Sequence, residues 1–243
     1  VIPFKSFFHE LGHAIDFFAD SGNKFFSMYF QYTSYEFVAR TELTGSMLVL
    51  AYDSKGEQAK TIHEWAENDV RNELYEVGID FLNDPANLQS FQITAQDKQD
   101  YLKIVVEDYF FSGIGKDKYD LTKNTNVTSL MIIKEIYDGI QTEITSRLTD
   151  QDNISNLAKD IYGGITGDQV GGGHGHEYWF YEEDDLKVKL FIKKKGDRKE
   201  QVSKEAFAGY FEYIVMNISA GIDPARSVLP QTIKALEKMM EAV

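Results

Sequence analysis

Phe7-Phe8-His9-Glu10-Leu11-Gly12-His13-Ala14-Ile15-Asp16-Phe17-Phe18 is the stretch on which the reading of this chain turns. Phe4, Phe7, Phe8, Leu11, Ala14, Ile15 and Phe18 recur at three- and four-residue spacing, which predicts an amphipathic helix over 4–20, stopped by Ser21-Gly22-Asn23. On a helix His9 and His13 are about 400° apart, so both imidazoles leave one face about one turn from each other. That placement suits two neighbouring ligands of a tetrahedral zinc ion. Glu10, rotated about 100° from His9, would miss the metal and reach a water bound to it. The pattern is H-E-x-x-H, in which zinc lowers the pKa of a water and the carboxylate takes its proton as the water attacks a carbonyl. Asp16 and Asp20 follow at three and seven residues from His13. Either is placed to accept a ligand N–H, although Asp20 reads better as a solvated acid.

A catalytic zinc keeps three protein ligands and one open position. The third is sought among His174 and His176 of the Gly-His-Gly-His turn, and Glu205 in Ser203-Lys204-Glu205-Ala206-Phe207-Ala208-Gly209. Glu205 is favoured over His176. It is expected in the first turn of a helix over 203–219, where Ala208 and Gly209 would let that helix approach the histidine helix closely. The competing reading of Glu205 is an acid stabilised by a helix N-terminus.

The 243 residues suffice for one sizeable domain or two small ones, and at 43% hydrophobic they can bury a core. A net charge of −14 with pI near 4.8 argues against nucleic acid as a partner, because phosphate binding needs a basic face. No apolar run reaches membrane-span length, so no membrane partner is expected. Zero cysteines exclude disulfides, thiol catalysis and cysteine-ligated zinc. The opening Val1-Ile2-Pro3, without an initiator Met, predicts a fragment of a longer polypeptide, and nothing in the chain fixes its localisation.

Elsewhere the aromatic richness of 25–33 suits a strand, though its Tyr, Phe and Ser tolerate either state, and 42–52 is ambiguous, with 48–50 as a candidate short strand. Helices are expected over 57–82, from a Thr94 cap to 111, over 127–148 and over 152–162. The seven glycines of 163–175 read as a loop beside the metal, not a phosphate loop, since no Gly-Lys-Ser/Thr follows. Alternation over 186–192 predicts a strand that turns at Gly196-Asp197 and returns through 202. A last helix should follow Asp223-Pro224. The lysine-rich segment 187–199 reads as a solvated hairpin edge, His63 as an ordinary helix residue, and the Tyr/Phe-rich 25–37 as core. The expected fold class is α+β, helix-dominated, with a small sheet.

His9-Glu10-Leu11-Gly12-His13-Ala14-Ile15-Asp16 closely resembles the zinc helix of the lethal-factor-like gluzincins. In that family a Glu in Glu-x-Phe-Ala is the third zinc ligand, and Glu205-Ala206-Phe207-Ala208 matches it. Gly175-His176-Glu177-Tyr178-Trp179, the Glu205 block and an apolar final helix also look like the metallopeptidase-like domain of phage minor head proteins. The resemblance covers 4–20 and 160–243, leaving 40–150 as an unplaced, mostly helical insertion in a single zincin-like domain. It implies a Zn2+-dependent endopeptidase acting on a protein or peptide, with His9, His13 and Glu205 on the metal and Glu10 as base. His176 or Tyr178 would steady the oxyanion. It equally implies a phage head or larger parent polypeptide as partner, and an alternative role as a structural or inactive domain of such a head protein. Two departures stand out. The interval from His13 to Glu205 is much longer than in lethal factor, and the family's catalytic Tyr, seven residues before the Glu, is replaced by Arg198, leaving Tyr178 or Tyr181 to take the role.

Overall fold

The structure is a computed structural model that describes residues 3–111, 128–149, 156–172, 176–179, 181–183, 188–190, 197–216 and 219–243. At 3–5, 156, 176–177, 181–183, 188–190, 197–199 and 219–223 it describes the backbone alone. The protein is α+β and helix-dominated, with two separate two-stranded sheets among the described residues. It divides into two compact units: residues 1–35, 56–70 and 148–243, and residues 36–55 and 71–147.

In the first unit, α1 (Pro3–Ala19) forms where the period predicts, but it buries a different face. Phe7 and Phe18 are 57% and 70% exposed, whereas Gly12 and Asp16 are buried. Two helices approach most closely where one lacks a side chain, and Gly12 supplies that gap. A 3-10 turn, Phe26–Met28, stands where the sequence suggests strand, and β1 (Gln31–Thr44) begins only after it. The Tyr/Phe-rich segment is not core, since Tyr29 and Tyr35 are 41% and 54% exposed. β2 (Met47–Thr61) follows a two-residue Gly45-Ser46 turn, with Gly45 at φ +64, so the two strands run antiparallel. The helix expected from 57 starts instead at α2 (Ile62–Asn83). A capping box sets that start: Thr61 N–H donates to Glu64 Oε2 (2.9 Å) and Glu64 N–H to Thr61 Oγ1 (3.3 Å). His63, in its first turn, is 2% exposed, with Nε2 3.6 Å from Glu67 Oε2.

The second unit is built from the hairpin tip, the rest of α2, α3 (Ala95–Lys103) with its π-helical continuation Ile104–Phe111, and α4 (Thr128–Thr149). Thr94 caps α3 through a reciprocal box with Asp97, as its position predicts. The core includes Leu74, Leu82, Leu102, Phe110, Ile136 and Ile140. α2 holds the hairpin with two amides three turns apart. Asn72 accepts from Ala39 N–H (2.8 Å) and donates to Phe37 O (2.7 Å), while Asn83 accepts from Leu48 N–H (3.1 Å) and donates to Leu48 O (2.6 Å). Each amide mimics a neighbouring strand, pairing backbone groups that would otherwise need water.

The rest of the first unit is mostly helical among the described residues. α5 (Asn156–Thr166) runs through Gly163 and Gly164, so the glycine loop begins only at Gly167. α6 (His176–Trp179) is a single turn. β3 (Tyr181–Glu183) pairs antiparallel with β4 (Val188–Leu190), so the strand at 188–190 finds its partner upstream, not at 197–202. The segment read as the returning strand is instead the start of α7 (Asp197–Val215). α7 is buried on nearly every side from Val202 to Tyr213 and packs against α1 and α5, which makes it the central helix of this unit. α8 (Ser219–Val228) contains Pro224, so the expected final helix is two, the second being α9 (Pro230–Ala242). Asp69 of α2 caps α9, accepting from the N–H groups of Gln231 (3.0 Å) and Thr232 (2.8 Å) and from the Thr232 hydroxyl (2.8 Å). No helix among the described residues is long and apolar enough to cross a membrane.

Candidate metal centre

His9 and His13 leave one face of α1, their rings 4.9 Å apart and perpendicular. Glu205 faces them from α7 at 3% exposure. Its Oε2 lies 3.2 Å from His9 Nε2 and 3.5 Å from His13 Nε2. One ligand atom from each of the three residues falls within 4.8 Å of the others, a group that could hold a metal ion. Ligands on a tetrahedral ion with bonds of about 2.0–2.2 Å lie about 3.3–3.6 Å apart, so the two separations to Glu205 Oε2 are close to those such an ion would need.

The close approach of α1 and α7 has an identifiable cause. A Cβ placed on Gly12 would lie 2.9 Å from Ala208 Cα and 3.2 Å from Ala208 O. Gly12 and Ala208 therefore let the backbones nearly touch, and the ligands beside them meet. Gly209, expected to share this task, faces α5 instead: its missing Cβ would lie 3.2 Å from Leu157 Cδ1. Glu205 is also not in a first helical turn, because α7 starts at Asp197, and its reading as a helix-dipole acid falls away.

The electrostatics call for positive charge. His9 Nδ1 lies 3.6 Å from Glu212 Oε2, and Glu212 is 5% exposed. Hydrogen bonding to Glu205 and then to Glu212 pushes the His9 imidazole up to about 10, against the opposing effect of burial. Without a metal, a proton on His9 offsets the two carboxylates. Glu212 is the acceptor that sequence reasoning missed. Asp16, proposed for that role, instead accepts from Ser27 N–H (2.7 Å) and the Ser27 hydroxyl (2.5 Å), and burial raises its carboxyl. Asp20 lies past the end of α1. The signal for Glu212 was its spacing: seven residues after Glu205 is two turns, on the same helix face.

Tyr178 reaches the centre from α6. Its hydroxyl donates to Glu205 Oε1, and the Gln201 amide donates to the Tyr178 oxygen and to Glu205 Oε1, the latter at 3.2 Å. Burial, then the Glu205 carboxylate, raises the Tyr178 hydroxyl above its ordinary value. Glu10 is exposed on α1, close enough for its charge to act on Tyr178. Phe25 stands edge-on to His13, ring centroids 6.3 Å apart, with Lys204 Nζ 4.9 Å from the Phe25 centroid. Of the residues the sequence singled out, His9, His13, Glu205 and Tyr178 are brought together, with Glu10 nearby. His174 and the side chains of His176, Tyr181 and Arg198 lie outside the described residues, as does most of the lysine-rich segment. No family model, no curated protein and no solved structure matches this chain.

Proposed function

We propose that this protein is a zinc-dependent endopeptidase of gluzincin type, hydrolysing peptide bonds of a protein or peptide substrate. The observation that carries the reading is the convergence of His9 and His13 with Glu205 at ligand separations, with Glu10 next in sequence to the first histidine. Two imidazoles and one carboxylate form a donor set that catalytic zinc uses, leaving a position for water. His9, His13 and Glu205 would hold the ion, and Glu212 would steady the His9 ring through Nδ1. An ion held there would supply acidity to a bound water and polarisation to the scissile carbonyl. Glu10 takes the proton from the attacking water and returns it to the leaving amine. The Tyr178 hydroxyl, which donates to Glu205 Oε1 in the free site, would turn to donate to the oxygen that gains charge in the transition state.

The deciding experiment is Glu10→Gln. It should keep zinc at one per chain by elemental analysis and lose about 10²–10⁴-fold in peptide hydrolysis, because the ligands survive and the base does not. Unchanged turnover would defeat the assigned role. A wild-type protein that holds zinc but cleaves no peptide in a broad library would point to a structural centre.

A further inference from the structure

We infer that Gln201 is a positioning residue of this centre: its amide holds Glu205 as a one-oxygen ligand and keeps that hold when the Tyr178 hydroxyl turns away toward substrate. The inference rests on the zinc reading above. Glu205 has two oxygens with different neighbours. Oε2 lies near both imidazoles, at 3.2 and 3.5 Å. Oε1 accepts from Tyr178 O–H and from Gln201 Nε2, the latter at 3.2 Å. A carboxylate whose second oxygen is held by two donors is kept from turning that oxygen to the metal, so a coordination position stays open for water.

The two donors are not equivalent. Gln201 precedes Glu205 by four residues on the same helix, which places the two side chains one above the other whatever the rest of the site does. Tyr178 comes from a different element, the single turn α6, and its O–H is the group suited to a developing oxyanion. If that hydroxyl serves the substrate, a nearly buried carboxylate oxygen loses a donor. The Gln201 amide, which also donates to the Tyr178 oxygen, remains to satisfy it. Gln201 is partly exposed, so replacing it does not disturb the core.

The test is a chelator-competition titration of zinc on wild type, Gln201→Met, Tyr178→Phe and the double variant, with visible spectra of the cobalt(II)-substituted proteins. Gln201→Met keeps the length and removes the donor. It should bind zinc about 10- to 100-fold more weakly, as loss of a partner to a metal ligand typically does, and should alter the cobalt spectrum as Glu205 is freed. The double variant should lose more than the product of the single losses, because Oε1 then has neither donor. Gln201→Asn, which keeps a neutral N–H donor, should recover part of the affinity, a rescue that a merely structural role would not give. Wild-type affinity and an unchanged cobalt spectrum in Gln201→Met, or strictly multiplicative losses, would overturn the inference and leave the zinc reading standing. A wild-type protein that binds no zinc would remove both.

Discussion

In the unit made of residues 36–55 and 71–147, the polar groups named here complete one another within the chain. Asn72 and Asn83 each pair both amide functions with hairpin backbone, and Arg147 donates to Glu73 (2.6 Å) and to Glu143 (2.9 Å). In the other unit, Glu205 and Glu212 crowd two imidazoles, and a proton on His9 supplies the balance. The first arrangement consists of amides paired on both functions and of a permanently charged guanidinium shared by Glu73 and the exposed Glu143. The second concentrates negative charge around a gap of ligand dimensions. Buried charge without a partner is costly, so a cation among His9, His13 and Glu205 would relieve the second arrangement and not the first.

The largest expected effect would break that contrast if it failed. His13→Ala and Glu205→Ala should each weaken zinc binding by more than about 100-fold in a chelator competition, since each removes one of three ligands. Zinc should slow amide exchange over 3–19 and 197–215 in wild type and in neither variant. Equal slowing across 71–111 would mean that the cation does not distinguish the two units. His176→Ala should leave zinc affinity nearly intact and lower rate. Loss of metal there with retention in Glu205→Ala would replace the proposed ligand set by a three-histidine centre.

Next in size is Gly12→Leu. It forces a side chain where even a Cβ would lie 2.9 Å from Ala208 Cα, so it should destabilise the protein by about 1–3 kcal/mol in urea unfolding and weaken zinc binding at the same time. Stability lost with zinc affinity intact would separate the α1–α7 contact from the site. Asn83→Ala should cost about 1–3 kcal/mol by leaving Leu48 N–H and C=O short of partners, with zinc affinity unchanged. A fall in zinc affinity would show that the two kinds of polar burial are not independent.

The last effect is a pH dependence of stability. Burial outweighs three donors and the nearby Lys60 and pushes the Asp69 carboxyl up to about 7. The folded protein therefore binds a proton more readily than the unfolded chain, and this contribution to stability declines as pH rises from about 4 to about 7. Asp69→Asn should flatten the melting temperature over that range. An unchanged slope would assign the pH dependence to other groups.

The motif helix was legible because its chemistry and its period coincide in one stretch: His9, Glu10 and His13 sit on a helix whose bounds the apolar spacing locates within a residue or two. The face it buries was not legible. The apolar stripe points to Phe7 and Phe18, but Gly12 decides the packing, and a glycine carries no weight in a hydrophobic pattern. The 31–61 hairpin was hidden for a related reason. Glu36, Ala39 and Leu48 are its only buried positions among residues 31–59, so alternation is weak and the Gly45-Ser46 turn was the usable signal. The Thr61–Glu64 capping box likewise marked the start of α2. α7 was placed too late because the lysines before it read as strand edge, which also put Glu205 in the wrong turn.

Gly164 gives one structural detail a wider reach. A Cβ there would lie 2.5 Å from Val202 Cγ2 and 3.0 Å from the Trp179 ring, so Trp179 settles directly on the α5 backbone. The neighbouring residue is Tyr178, and its ring meets Trp179 edge-on at 4.9 Å. A methyl group added at Gly164 would therefore push against the Trp179 ring, and through it against Tyr178, the residue whose hydroxyl meets Glu205.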